Sequence, residues 1–233
     1  MKPTLRLLVG LAMITSGVAC ARSSASALAP ERLLPPPVLD QRTPARSSEV
    51  AVIAGGCFWG VQGIYQHVKG VTGAVSGYAG GEESSAEYEK VGTGRTGHAE
   101  AVRISFDPRV VSYGRLLQIF FSVAHDPTEL NRQGPDEGPQ YRSAIFPQNE
   151  EQASIAKAYI AQLSQAAVFA DPVVTTLEPA KMFFRAEGYH QDFLERNPGN
   201  AYIAMNDLPK LAAFKRLFPD LYRAKPVLTG SSD

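Results

Sequence analysis

Cysteine is scarce in this chain, with only Cys20 and Cys57 among 233 residues. Cys20 lies in the N-terminal segment, so the rest of the chain keeps one thiol. A single thiol cannot form an intradomain disulfide, and no Cys-x-x-Cys pair is present. In an oxidising compartment a lone thiol is a liability unless it performs chemistry, which makes Cys57 the first candidate functional residue.

The chain also lacks an excess of either charge. Its 23 Lys and Arg residues balance its 23 Asp and Glu residues, and no basic stripe or acidic run stands out. A nucleic-acid partner is therefore not expected. The four histidines do not combine with thiols and acids at metal-ligand spacing, so no metal site is expected either.

A long apolar run is missing as well. Residues 7–14 are apolar, but they are fewer than the roughly 20 residues that span a membrane. Lys2 and Arg6 precede this stretch and small residues follow it, an order typical of a secretory signal peptide over residues 1–21. The expected location is the bacterial periplasm or the cell envelope, with membrane contact only through an N-terminal lipid.

Two processing routes remain open. Cleavage after Ala21 would use the small residues Ala19 and Ala21. Lipidation of Cys20 would use the segment 17–20, which resembles a lipobox except that Gly17 stands where an aliphatic residue is usual. Either route leaves Cys20 removed or acylated.

The remaining length suits one medium domain. Residues 22–48 are rich in proline and serine and predict an extended linker without a core. The folded domain is expected over 49–225, followed by a flexible tail at 226–233. Strands are predicted at 50–54, 71–78, 99–106, 141–146 and 173–177, and helices at 59–67, 112–124, 149–167, 186–195 and 208–217. This alternation indicates a mixed α/β or α+β single domain.

Cys57 falls between a predicted strand and a predicted helix. The free N–H groups and positive end of a helix favour a thiolate at such a junction. Phe58 and Trp59 follow at once and could line an apolar slot beside the sulfur. Two interpretations stay open, a buried core cysteine or a nucleophile, and the lone thiol favours the nucleophile.

A nucleophilic thiol needs an acid or base partner. Glu100 begins an apolar strand, where partial burial would raise its pKa and make it a proton donor, unless it is an exposed strand-end residue. The polar, glycine-rich loop 133–143 contains Asp136 and Tyr141 and is either a plain turn or a carrier of site residues.

The chain resembles the A-type peptide methionine sulfoxide reductases over about residues 50–200, with the motifs in family order. The motifs are Gly56-Cys57-Phe58-Trp59-Gly60, Gly77-Tyr78-Ala79-Gly80-Gly81, Tyr88 before Val91, Thr96-Gly97-His98-Ala99-Glu100-Ala101-Val102, Phe106-Asp107-Pro108, His125-Asp126-Pro127-Thr128, Gln133-Gly134-Pro135-Asp136-Glu137-Gly138-Pro139-Gln140-Tyr141-Arg142-Ser143 and Ala186-Glu187-Gly188-Tyr189-His190-Gln191-Asp192. The resemblance implies an α+β fold with a ferredoxin-like βαβ core and extra strands and helices.

The same resemblance implies reduction of the S-epimer of methionine sulfoxide, free or in proteins, and assigns a role to each matching residue. Cys57 is the nucleophile and Glu100 the acid that protonates the sulfoxide oxygen. The phenols Tyr88 and Tyr141 hydrogen-bond that oxygen, Asp136 is a supporting carboxylate, and Phe58 and Trp59 surround the substrate methyl group. Attack by Cys57 would leave a sulfenic acid.

One departure concerns recycling. Many family members carry recycling cysteines in a C-terminal tail, but residues 196–233 contain none. The sulfenic acid is therefore expected to need an external thiol such as thioredoxin, with no bound cofactor. The expected role is repair of oxidised exported proteins by a monomer.

Two other functions would use the same residues differently. A cysteine-dependent acyl-transfer enzyme would need a histidine base and an orienting group, and no histidine lies in such a context. A binding module could use the Trp59 slot only to recognise oxidised methionine. Loss of turnover with retained binding in Cys57→Ser would separate the enzyme from the module.

Overall fold

The computed structural model describes residues 32–41, 47–180 and 182–230. The strands are β1 (Glu49–Gly55), β2 (Val71–Ala79), β3 (Ala99–Phe106), β4 (Arg132–Gln133), β5 (Asp136–Glu137), β6 (Ser143–Ile145), β7 (Thr176–Leu177) and β8 (Phe183–Arg185). The α-helices are α1 (Phe58–Gln66), α2 (Tyr88–Val91), α3 (Tyr113–Ile119), α4 (Glu150–Gln165), α5 (Phe193–Arg196) and α6 (Leu208–Leu217). Across these described ranges no helix combines the length and apolarity needed to cross a bilayer.

The main sheet has six strands in the order β7-β6-β1-β3-β2-β8. β3 pairs antiparallel with both β1 and β2, so β1 and β2 run parallel and α1 crosses between them. β6 pairs antiparallel with the other side of β1. This split βαβ arrangement, with helices added outside it, confirms the α+β class and the ferredoxin-like core.

The core lies mainly between the sheet and its helices. Val102, Ile104 and Phe106 of β3 are fully buried in the large cluster that contains the apolar face of α1. Side chains alternate along a strand, so Glu100 projects toward the same face as Val102 and Ile104. The sheet register therefore directs a carboxyl group toward the start of α1.

Several predicted elements differ from the observed ones. The predicted strands at 141–146 and 173–177 shorten to β6 and β7, and the helix at 112–124 becomes α3 followed by a π-helical turn, Phe120–Ala124. The helix predicted at 186–195 is wrong: a 3-10 turn, Gly188–His190, precedes α5. The side chain of Gln191 exchanges hydrogen bonds with both backbone groups of Ser76 in β2, and these tertiary bonds replace helical ones.

The predicted free linker is corrected over residues 32–41. These residues have no regular secondary structure, as expected, but they pack on α3 and α4. Leu34 is 2% exposed, and the hydroxyl of Tyr159 donates to the carbonyl of Pro35 over 2.8 Å. The carboxylate of Asp40 accepts from the N–H of Gly114, where a side chain would collide with the segment.

The predicted flexible tail is corrected in the same way. The N–H of Val227 donates to the carbonyl of Gln66, and Thr229 donates twice to the buried carboxylate of Asp192. Residues 227 and 229 are therefore fixed to the end of α1 and to Asp192. The signal peptide predicted at 1–21, the rest of the linker at 22–31 and 42–46, and residues 231–233 lie outside the described residues.

Candidate active site

Cys57 occupies the N-cap position of α1, directly after β1. The preceding Gly56 has a φ of +87°, and a Cβ there would lie 2.5 Å from the side chain of Gln133. Only glycine makes this turn at low cost, because L side chains avoid positive φ and no space is free. The turn leaves the Cys57 side chain partly exposed at the helix start.

The surroundings of Cys57 hold it as a neutral thiol. Burial raises the pKa of the Cys57 thiol well above its ordinary value, and the carboxyl groups of Glu100 and Asp207 raise it further. The N–H of Trp59 acts in the opposite direction. The sequence-based expectation that the helix start favours the thiolate is therefore wrong for the resting site, because burial and negative charge outweigh the helix.

Glu100 lies beside the helix start, 4% exposed. Its Oε2 accepts the N–H of Phe58 over 3.0 Å. Burial raises the pKa of Glu100 to about 8, the Phe58 N–H opposes that rise, and Asp136 adds to it. The group is consequently a carboxylic acid at neutral pH, able to donate a proton within the site.

Two phenols supply further donors. Tyr88 is the first residue of α2, and its N–H donates to the carboxylate of Glu187 over 2.9 Å. Tyr141 ends the 3-10 turn Pro139–Tyr141. Burial, followed by the proximity of Glu100, raises the pKa of both phenols, so both remain protonated O–H donors.

The aromatic side of the site is held by partners that sequence reasoning missed. The indole N–H of Trp59 donates to Nδ1 of His190 over 3.1 Å, and the indole stacks on Phe193 with 3.8 Å between ring centroids. Because Nδ1 accepts, the neutral His190 ring carries its proton on Nε2. His190 also packs against Phe58, with 5.1 Å between centroids.

Tyr202 is a further residue that sequence reasoning missed. Its hydroxyl donates to the carboxylate of Asp136, and its ring meets Trp59 edge-on at 5.9 Å. It precedes the π-helical turn Ile203–Asp207 and lies beyond the last recognised motif, which ends at Asp192. No local pattern signals its placement. His190 lies inside a recognised motif, so its signal was present without an assigned role.

All the sequence-predicted site residues meet in one cavity of about 190 Å³. It is lined by Cys57, Phe58, Trp59, Tyr88, Glu100, Asp136, Tyr141 and Tyr202. The cavity thus combines one thiol, one carboxylic acid, phenol donors and apolar walls. Such a site can bind a small polar oxygen attached to an apolar group and donate a proton to it. Within the described ranges no cluster of three or more potential ligands could hold a metal.

Comparisons with known proteins agree on one family. The family model described as peptide methionine sulfoxide reductase matches residues 49–221. Peptide methionine sulfoxide reductase MsrA 2 of Mesorhizobium japonicum is 61% identical over 188 residues, covering 81% of this chain and 96% of the relative. The protein of that name from Synechocystis is 48% identical over 197 residues, which cover 83% of this chain and 92% of the relative.

Solved structures give the same result. Reduced Mxr1 from Saccharomyces cerevisiae superposes with a TM-score of 0.59 at 34% identity, covering 68% of this chain and 90% of that one. Methionine sulfoxide reductase A of Corynebacterium diphtheriae superposes with a TM-score of 0.55 at 35% identity, and the match covers 71% of this chain and 83% of that one.

Proposed function

The chain belongs to the peptide methionine sulfoxide reductase family and is a peptide-methionine (S)-S-oxide reductase. From that premise we propose that Cys57 performs the reduction and becomes a sulfenic acid, which an external thiol then reduces. The observation that supports this proposal is the meeting of Cys57 with a protonated Glu100 in one cavity. Thiol and acid are the two groups that the reduction requires.

The chemistry explains why both are needed. The oxygen of a sulfoxide leaves its sulfur readily only after protonation, and Glu100 is the acid placed to protonate it. The hydroxyls of Tyr88 and Tyr141 donate hydrogen bonds to the same oxygen as its negative charge develops. Phe58 and Trp59 surround the substrate methyl group, while Asp136 orients Tyr202 at the edge of the cavity.

The step balances without a cofactor. The sulfur of Cys57 bonds to the substrate sulfur while Glu100 protonates the substrate oxygen. The sulfur–oxygen bond of the substrate and the new sulfur–sulfur bond then break as the resulting hydroxyl group bonds to the sulfur of Cys57. The thiol proton of Cys57 replaces the proton that Glu100 gives up. The products are methionine and the Cys57 sulfenic acid, so the substrate is reduced by two electrons and the cysteine is oxidised by two.

Recycling requires a second thiol. Cys57 is the free cysteine of the described residues, and Cys20 is the other cysteine of the chain. A thioredoxin-like protein or a small thiol attacks the sulfenic sulfur and releases water, which leaves a mixed disulfide. A second thiol of the donor then frees Cys57 and becomes oxidised to a disulfide.

We further propose that the enzyme is exported and repairs oxidised proteins of the cell envelope as a monomer. The support is the signal-like segment 1–21 and the proline-rich segment after it. The intact mass of the mature protein tests the processing: one mass fits cleavage after Ala21, and a larger one fits an acylated Cys20. A mature protein that retains residues 1–21 unmodified would contradict export.

A single-turnover experiment tests the mechanism. Enzyme carrying Cys20→Ser is mixed with excess methionine S-sulfoxide and no reductant, and about one methionine should form per enzyme. Dimedone should then label Cys57, and dithiothreitol or a thioredoxin should restore turnover. The matched variant Cys57→Ser should form no methionine.

Two results would contradict the proposal. Methionine produced well beyond one equivalent without reductant would exclude a trapped sulfenic acid. An intramolecular Cys20–Cys57 disulfide in the exported wild-type protein would show that Cys20 survives processing as the resolving thiol.

A further inference from the structure

Asp207 is a buried carboxylate that the reaction described above does not use. It ends the π-helical turn Ile203–Asp207, and its side chain is 0% exposed. A Cβ added to Gly60 would lie 2.1 Å from its Oδ1, so the carboxylate rests on the backbone of the first turn of α1. That turn begins at Cys57, and its first N–H groups have no partners within the helix.

The position of Asp207 is not explained by capping or by hydrogen bonding. Its side chain makes no capping hydrogen bond to α6, the helix that follows it. Among the described residues neither carboxylate oxygen has a hydrogen-bond partner, and the ammonium of Lys210 lies 3.5 Å from Oδ1 as an ion pair. A buried carboxylate with one ion pair and no hydrogen bond is costly, which points to a use for its charge.

That charge lies against Gly60, in the helical turn that begins at Cys57. Burial raises the pKa of Asp207 to about 6, with Lys210 opposing the rise, so the group is ionised at neutral pH. The other titratable groups facing Cys57 are Glu100 from β3, Asp136 from β5, Tyr88 from α2, Tyr141 from the 3-10 turn and Tyr202 from the segment before the π-helical turn. Near pH 7 Glu100 is protonated and Asp207 is ionised, so Asp207 supplies negative charge among these groups.

We infer that Asp207, moderated by Lys210, is a positioning residue that keeps Cys57 in its protonated thiol form while the pocket is empty. The consequence follows from the proton balance of the reaction, because the thiol proton is required when the oxygen passes to Cys57. A neutral thiol is also a poorer target than a thiolate for hydroperoxides, which matters for an enzyme with one domain thiol. This inference rests on the proposed role of Cys57 as nucleophile.

The test measures the ionisation of Cys57 and not catalytic turnover. A negative result would therefore contradict the role of Asp207 without contradicting the proposed function. The rate of Cys57 alkylation by neutral iodoacetamide is measured between about pH 5 and 10 in the Cys20→Ser protein, since the thiolate is the species that reacts. Asp207→Asn should react on the order of tenfold faster at pH 8, the effect of removing one nearby charge. The ratio of the alkylation rate of Asp207→Asn to that of the protein with Asp207 should approach one as the pH falls through about 6, where Asp207 takes up its proton.

Matched variants separate charge from structure. Lys210→Met removes the opposing charge and should slow alkylation at pH 8, whereas Asp220→Asn and Lys157→Met change exposed charges elsewhere and should not alter it. The inference would be overturned if folded Asp207→Asn showed an unchanged rate of Cys57 alkylation. It would also be overturned if the faster alkylation of this variant did not depend on pH. If Asp207→Asn fails to fold, Lys210→Met decides alone: slower alkylation supports the inference and an unchanged rate overturns it.

Discussion

At the scale of single residues, the site depends on carboxyl groups that differ in protonation beside one sulfur. Glu100, with a pKa of about 8, keeps its proton at neutral pH, and Asp207, with a pKa of about 6, loses it. Burial is the largest cause of both shifts, and the ammonium of Lys210 opposes the shift only at Asp207. Such separation of pKa values is how an acid and a negative charge can coexist around one active site.

The first residue-scale prediction concerns the acid. Glu100→Gln keeps the shape and can still accept the Phe58 N–H, but it has no acidic proton to donate. We expect kcat/KM for methionine S-sulfoxide to fall by about 10²–10⁴-fold. The matched control, Glu151→Gln on the exposed side of α4, should keep wild-type activity. Near wild-type turnover of Glu100→Gln from about pH 5 to 9 would exclude Glu100 as the acid.

A second residue-scale prediction concerns the apolar wall. Trp59→Ala should lower kcat/KM for methyl sulfoxides more than for ethyl sulfoxides, because removal of the indole enlarges the space around the alkyl group. One methylene in an apolar pocket is worth about 1–3 kcal/mol, so the change in preference should be measurable as a ratio of kcat/KM values. An equal loss for both substrates would show that Trp59 only packs the core against Phe193.

At the scale of elements, the start of α1 is where separate parts of the chain meet. β3 supplies Glu100, β5 supplies Asp136, and the π-helical turn before α6 supplies Asp207. The segment at residues 32–41 lies elsewhere: its hydrogen-bond partners belong to β1, to α3 with its N-cap residue and the π-helical turn after it, and to α4, and none of them lines the cavity. This segment therefore contributes to stability rather than to the chemistry.

The element-scale prediction uses two adjacent leucines. Leu34 is 2% exposed and Leu33 is 54% exposed. Leu34→Ala should lower the free energy of unfolding by about 2–5 kcal/mol, because it empties a core site, while Leu33→Ala should change it by less than about 0.5 kcal/mol. Urea unfolding measures both, and kcat of the folded Leu34→Ala protein should stay unchanged. Equal stability of the two variants would mean that the segment detaches in solution.

At the scale of the whole molecule, the proton on Glu100 couples the active site to stability. The ordinary pKa of the group is 4.5 and folding raises it to about 8, so the folded protein binds a proton that the unfolded chain releases between these values. The unfolded state then binds fewer protons, and the free energy of unfolding falls as the pH rises through this window. The loss of stability caused by ionising the buried Glu100 is absent at low pH and complete above about pH 8.

The whole-molecule prediction is that Glu100→Gln is more stable than wild type in alkaline solution. The difference in the free energy of unfolding should be near zero around pH 4.5 and reach a few kcal/mol around pH 9, because glutamine carries no ionisation cost. Urea unfolding at a series of pH values measures it, with Glu151→Gln as the control. A difference that does not vary with pH would contradict the raised pKa of Glu100.

The sequence by itself determined what depends on local spacing and on motifs. The order of β1, α1, β2 and β3, the glycine turn before Cys57 and the α+β class all followed from short patterns, since each depends on neighbours in the chain. The same motifs led to every predicted residue of the cavity.

Only the tertiary structure decided the rest, because it depends on groups that burial brings together from distant parts of the chain. Tyr202 and Asp207 reach the site from beyond the motifs, and Gln191 forms bonds with β2 where a helix was predicted. Proline-rich composition excluded regular structure over residues 32–41 but could not reveal the buried site that holds Leu34. The protonation of Cys57 was decided by the balance of burial, carboxylates and helix end, which exists only once these groups are folded against each other.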